Sequence, residues 1–297
     1  MFRDRGCAVI LILLSAALVL GYTLLDFYTE WAWFDALALT SLLTRRLLAE
    51  WLLFLAAWLV ATAVLAANWL LARRMGGGSQ MSVPWLRQER HRSQVFTTPT
   101  TRTLGARTAD VALALLAAFV GLFFALPARA SWLTSLMSVN AVPFGQADPV
   151  LGRNLGFYIF QLPWLEFLQG WFLWLILVAL AGTALVYVGS YSAQRLNAQV
   201  EIVGARGPWV RLPPRADRHL LILGALALAL FAWGYQLDSP RLLFGSTGAA
   251  YGAGYVDVRV RLPVLNLLTV IVVAGALVLL ASIRVRVRWL PYAVVAV

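Results

Sequence analysis

The stretch Trp51-Leu-Leu-Phe-Leu-Ala-Ala-Trp-Leu-Val-Ala-Thr-Ala-Val-Leu-Ala-Ala-Asn-Trp-Leu-Leu-Ala72 decides the fold class. It runs 22 residues without a formal charge and is closed by Arg73 and Arg74. At about 1.5 Å rise per residue, a helix of that length crosses a hydrocarbon core of about 30 Å. Five further runs of the same kind lie at 7–25, 111–128, 167–188, 220–237 and 264–283. A seventh opens at Trp289 and stops at Val297, and nine residues are too few to cross a bilayer as a helix. The pattern predicts an all-α chain, a polytopic transmembrane helix bundle with six full spans and a truncated seventh. One transmembrane domain then covers residues 1–297.

Composition agrees. Of the 297 residues, 61% are hydrophobic and 12% are charged, against about 45–50% and about 25% in ordinary soluble domains. A soluble chain of this size has too little interior to bury so much apolar side chain. A soluble enzyme and a disordered chain are thereby excluded. The single cysteine, Cys7, excludes an intrachain disulfide framework. The first run is longer than the roughly 7–15 residues of a cleaved signal. No small-residue cleavage site follows it, so it reads as an uncleaved first span.

All 24 basic residues are arginines, and the net charge is +11. In so apolar a chain this charge points to cytoplasmic loops rather than to nucleic acid. With the N-terminus inside, the inner segments hold 17 arginines and the outer ones 7. That asymmetry predicts a plasma-membrane protein with a cytoplasmic N-terminus. Its implied partners are the lipid bilayer and, at the cytoplasmic face, anionic lipids. The inner stretch Gly76-Gly77-Gly78-Ser79 lacks the Gly-Lys-Ser/Thr of a phosphate loop and reads as a linker. Neither a cofactor nor a metal site is implied.

Three outer segments are richer than connectors. In Asp26-Phe-Tyr-Thr-Glu-Trp-Ala-Trp-Phe-Asp35, acids alternate with aromatics suited to a membrane interface. Asp26 and Glu30 share a face if the helix continues. Asp26, Glu30 and Asp35 are the candidate catalytic or cation-binding residues, unless they simply end the span in headgroup water. In the second segment, residues 157–162 read as an interfacial or re-entrant piece, and residues 131–139 as a short helix in the membrane surface. In the third, Asp257, Arg259 and Arg261 alternate and would share one face of a strand. Arg153, Arg259 and Arg261 are the candidate anion or lipid-headgroup contacts, with a plain structural ion pair as the other reading.

These segments resemble a known group. Glu30-Trp-Ala-Trp-Phe-Asp35, Asp148-Pro-Val-Leu-Gly-Arg-Asn-Leu-Gly-Phe-Tyr-Ile-Phe-Gln-Leu-Pro163 and Tyr251-Gly-Ala-Gly-Tyr-Val-Asp-Val-Arg-Val-Arg-Leu-Pro263 look like uncharacterised protein family 0182. These are large bacterial multipass membrane proteins of unassigned activity. The resemblance implies about seven N-terminal spans followed by a large extracytoplasmic domain beyond residue 297. It implies no catalytic residues.

Three functions stay open. A membrane anchor and interaction platform for that outer domain fits the scarcity of ionisable residues inside the spans, where ion-coupled transporters usually keep some. A lipid-linked-substrate enzyme, glycosyltransferase-like, fits acids just after the first span and arginines to hold phosphate. A transporter would favour glycine and proline breaks within spans. Here Pro143, Pro149, Pro163 and Pro263 are expected in loops.

Overall fold

A computed structural model describes residues 3–76, 105–199, 214–244 and 252–284. The helices are α1 (Arg3–Ala36), α2 (Thr40–Met75), α3 (Ala106–Ala130), α4 (Trp132–Val139), α5 (Leu162–Gln199), α6 (Pro214–Arg241) and α7 (Leu262–Ser282). Among the described residues there is no strand, only an isolated bridge between Ala147 and Asn154. Five segments are long and apolar enough to cross a membrane: Thr40–Met75, Arg107–Ala130, Phe157–Ser190, Pro214–Phe244 and Asp257–Ser282. Residues 7–25 lie within α1. The glycine-rich stretch at 77–79 and the seventh run at 289–297 fall outside the described residues.

The chain forms two compact units, Met1–Leu52 and Leu53–Val297. In the first, the expected outer loop at 26–50 is almost wholly helical. Residues 26–36 contain neither glycine nor proline, so nothing stops α1 where its apolar run ends. Only Leu37, Ala38 and Leu39 separate the two helices. Ala38 takes a left-handed φ of 55°. Its N–H donates to Asp35 O at 2.9 Å, and Leu39 N–H donates to Phe34 O at 2.8 Å. These bonds close the last turn of α1 as a glycine would normally do.

The second unit packs α2, α3, α5 and α6 through small residues. Ala61, Ala72, Ala117, Ala179 and Ala216 are fully buried beside Trp69 and Trp171. A Cβ on Gly182 would lie 2.2 Å from Trp69 Nε1, so α5 meets that indole only because residue 182 has no side chain. Small residues let helix backbones approach where lipid offers no hydrophobic drive. Two indoles add polar pins: Trp58 Nε1 donates to Ala118 O, and Trp171 Nε1 donates to Phe124 O, both at 2.9 Å. Leu115, Phe119 and Phe123 of α3 point outward at helical spacing and are exposed. A buried alanine seam behind an exposed leucine and phenylalanine face reverses the soluble pattern.

The helices α5 and α7 begin alike. Each follows a π-turn, Phe157–Gln161 and Asp257–Arg261, and each opens with Leu-Pro. Pro163 and Pro263 have no N–H, and their rings crowd the carbonyl four residues back. The backbone widens, so that Leu162 N–H reaches Phe157 O and Leu262 N–H reaches Asp257 O. Three expectations are corrected by this geometry. Residues 157–162 are the continuous start of α5 rather than a re-entrant piece, and residues 255–262 are helical rather than a strand. Pro163 and Pro263 lie within helices, not loops. The short helix expected at 131–139 is present as α4.

Candidate functional site

The continuation of α1 brings Asp26 and Glu30 onto one face. With Thr29, Trp33, Phe34 and Arg46 of α2 they line an open cleft of about 630 Å³. Arg46 ties this cleft together. Its Nη1 lies 2.5 Å from Glu30 Oε1, and its Nε donates to Glu50 Oε1 at 2.8 Å. The Glu50 side chain is 7% exposed, so this carboxylate is buried where it meets Arg46. Asp35 does not line the cleft; it is exposed near the end of α1. Of the three candidate acids, the structure therefore joins two, and one of those is bound to an arginine.

The segment between α4 and α5 is built around Asp148, whose residue is 3% exposed. Its Oδ1 accepts from Val150 N–H at 2.7 Å and Leu151 N–H at 2.9 Å. Its Oδ2 accepts from Arg153 N–H at 3.2 Å and from the Tyr158 hydroxyl at 2.5 Å. Burial pushes this carboxyl up, but the Tyr158 hydroxyl and the three N–H groups outweigh burial and hold it below the usual carboxylate range. Asn154 does a similar job, accepting from Phe144 N–H and Gly156 N–H. Gly156 is required by proximity, since a Cβ there would sit 2.4 Å from Val142 O. The Asp148–Pro163 motif thus encodes a side-chain-braced turn feeding a π-turn.

The three candidate arginines separate. Arg153 lays its guanidinium 4.5 Å from the centre of the Phe157 ring. Arg259 is exposed. Arg261, four residues after Asp257 in a helical turn, donates from Nη1 to Asp257 Oδ1 at 2.9 Å. The shared strand face expected for Asp257, Arg259 and Arg261 does not exist. The ion-pair reading holds for Asp257 and Arg261. Arg261 and Asp257 do line a cleft of about 360 Å³, together with Asp238, Arg241, Leu242, Val264 and Leu265. Arg241 had no role in the sequence reading. Its signal was Asp238 three residues earlier, one helical turn away.

A buried polar chain was also missed. The Tyr187 hydroxyl lies 3.0 Å from His219 Nδ1, and His219 Nε2 lies 3.0 Å from Asn68 Oδ1. His219 is 8% exposed in the second turn of α6. Nearby, Arg73 Nε donates to Asp110 Oδ1 at 2.7 Å across α2 and α3. Among the described residues no group of three or more His, Cys, Asp or Glu is placed to hold a metal ion.

These features define a class first: an all-helical, membrane-type chain whose charged side chains meet in pairs near helix ends. The chain belongs to the Uncharacterised protein family (UPF0182), which it matches over residues 7–297. It is 34% identical to a UPF0182 protein of Trichlorobacter lovleyi, over 93% of this chain and 29% of that one. It is 33% identical to one from Synechococcus sp. (strain JA-3-3Ab), over 90% and 26% respectively. It is 32% identical to UPF0182 protein H16_A1615 of Cupriavidus necator, over 97% and 29%. The chain thus spans less than a third of the length of these relatives. No solved structure matches it.

Proposed function

We propose that the chain is a plasma-membrane anchor and interaction platform with its N-terminus in the cytoplasm. It would carry a large extracytoplasmic domain and bind anionic lipids along its arginine-rich inner segments. One observation carries this reading: several ionisable side chains among the described residues join one helix to another or hold a turn. Arg46 links α1 to α2 through Glu30, Arg73 links α2 to α3 through Asp110, and Arg241 links α6 to α5 through Glu166. Asp148 holds a turn, and Asp257 holds the entry to α7. Side chains fixed this way give a rigid mount for a following domain.

The cleft of Asp26, Glu30 and Arg46 keeps a second reading in view, an enzyme acting on a lipid-linked substrate. Reconstitution separates the readings. The chain in proteoliposomes is expected to show leak-level solute flux, and envelope lipids and glycans are expected to be unchanged by Asp26→Asn with Glu30→Gln. Saturable, solute-specific flux would establish a transporter, and an altered lipid or glycan profile would establish the enzyme.

A further inference from the structure

We propose that the cleft between α6 and α7 binds the headgroup of a phospholipid carrying a primary ammonium, with the acyl chains along the outward face of α7. This rests on the membrane placement proposed above. The cleft measures about 360 Å³, within the range of about 300–1,000 Å³ typical of small-molecule sites.

Its charges are divided. Glu166 takes the fork of Arg241, with Oε1 2.5 Å from Nε and Oε2 2.9 Å from Nη2. Bidentate pairing of this kind uses the guanidinium's best directions. Asp238 meets the same guanidinium only at 3.4 Å, through Nη1, and its side chain is 43% exposed. Asp257 accepts from Gly254 N–H and from Arg261 Nη1, both at 2.9 Å. The Arg261 side chain is 56% exposed, and a guanidinium has five N–H donors.

The cleft therefore offers an exposed carboxylate at Asp238 and guanidinium donors at Arg261. Counting Glu166, three carboxylates face two guanidinium groups. A lone anion would meet net negative charge. A zwitterion would not, because its ammonium meets Asp238 while its phosphate meets Arg261. The apolar part of the occupant also has a place. Leu242, Val264 and Leu265 line the cleft. Val260, Val264, Leu267 and Ile271 form an exposed row on the α7 side at helical spacing. Polar ends of opposite sign leading to an apolar row match one phosphatidylethanolamine molecule.

Native mass spectrometry of the 297-residue chain tests this with phosphatidylethanolamine and phosphatidylglycerol of identical acyl chains, and with soluble phosphoethanolamine as competitor. Phosphatidylethanolamine is expected to be retained about tenfold better than phosphatidylglycerol, the worth of one charge-assisted hydrogen bond. Asp238→Asn is expected to abolish that preference while leaving the unfolding temperature unchanged, because its contact with Arg241 is long and exposed. Arg261→Gln is expected to weaken retention of both lipids. Equal retention of the two lipids, or an unchanged preference in Asp238→Asn, overturns the proposal. So does displacement by phosphoethanolamine at concentrations equal to the lipid's, which would show that the headgroup alone suffices. A chain that does not fractionate with membranes overturns the membrane placement as well. One that does, yet shows no preference, overturns this inference alone.

Discussion

Asp148 offers the sharpest test of how this chain uses its charges. Its carboxylate accepts four hydrogen bonds, from the Val150, Leu151 and Arg153 N–H groups and the Tyr158 hydroxyl. Asp148→Ala removes both acceptor oxygens and with them all four bonds. Hydrogen bonds to charged groups contribute about 1.5–3 kcal/mol each. Water reaches the half-exposed turn N–H groups once the carboxylate is gone, so the four do not sum. The buried Tyr158 hydroxyl has no such relief. A loss of about 3–5 kcal/mol follows for Asp148→Ala. In Asp148→Asn the amide oxygen keeps the Val150 and Leu151 bonds, but the amide nitrogen faces the Arg153 N–H donor and the Tyr158 hydroxyl must turn to accept rather than donate, costing about 1–3 kcal/mol. Tyr158→Phe should cost less, and the double variant should show clear coupling. Unfolding in mixed micelles, followed by tryptophan fluorescence, measures each value.

The pH dependence has a defined sign. The folded carboxyl titrates below its unfolded value, so its stabilisation is complete above the usual carboxylate pKa of about 3.9. It is lost as pH falls through the lower folded value. The gap between the wild type and Asp148→Asn should therefore be constant from pH 7 to about 5 and close under stronger acid. An Asp148→Asn chain as stable as the wild type at pH 7 would refute the bracing role.

Four other outcomes follow from the packing. Gly182→Ala places a Cβ 2.2 Å from Trp69 Nε1 and should cost about 2 kcal/mol or more in the same unfolding assay, as overpacking does; an unchanged midpoint would disprove the contact. Arg46→Met removes both carboxylate contacts in the first hairpin and should cost about 1–2 kcal/mol, with faster hydrogen exchange in residues 26–50. Tyr187→Phe strips His219 Nδ1 of its hydroxyl partner and should cost about 1–2 kcal/mol, visible as a lower thermal midpoint. Ala38→Gly relieves a left-handed φ of 55°. The relief of about 1–2 kcal/mol, less about 0.4–1 kcal/mol of added unfolded-chain entropy, predicts a slightly higher midpoint.

The helical class was legible because long uncharged runs have few other solutions, and α2 grew directly from the run ending at Ala72. The helix ends were not legible from hydropathy. Residues 26–36 are polar and aromatic, yet α1 passes through them, since backbone propensity rather than apolarity sets where a helix stops. The Asp-Val-Arg-Val-Arg alternation at 257–261 has strand period, but Asp257 and Arg261 also satisfy the helical four-residue spacing. The Leu-Pro that follows at 262–263 repeats the one at 162–163, which was the overlooked clue. The site residues divide in the same way. Asp26 and Glu30 share a face because they are four apart in a continuing helix, while the Arg46–Glu30 and Arg241–Glu166 pairs join residues 16 and 75 positions apart. The Tyr187–His219–Asn68 chain joins residues up to 151 positions apart, so no local pattern announces it.

The proposed cytoplasmic N-terminus predicts on which side of the membrane each connecting segment lies. Single-cysteine labelling in intact cells tests it most directly. In a Cys7→Ser background, Gln146→Cys and Tyr255→Cys should react with a membrane-impermeant maleimide from outside, whereas Ser79→Cys and Gly204→Cys should react only after lysis. Labelling of Ser79→Cys in intact cells, or protection of Gln146→Cys until lysis, would contradict the proposed topology.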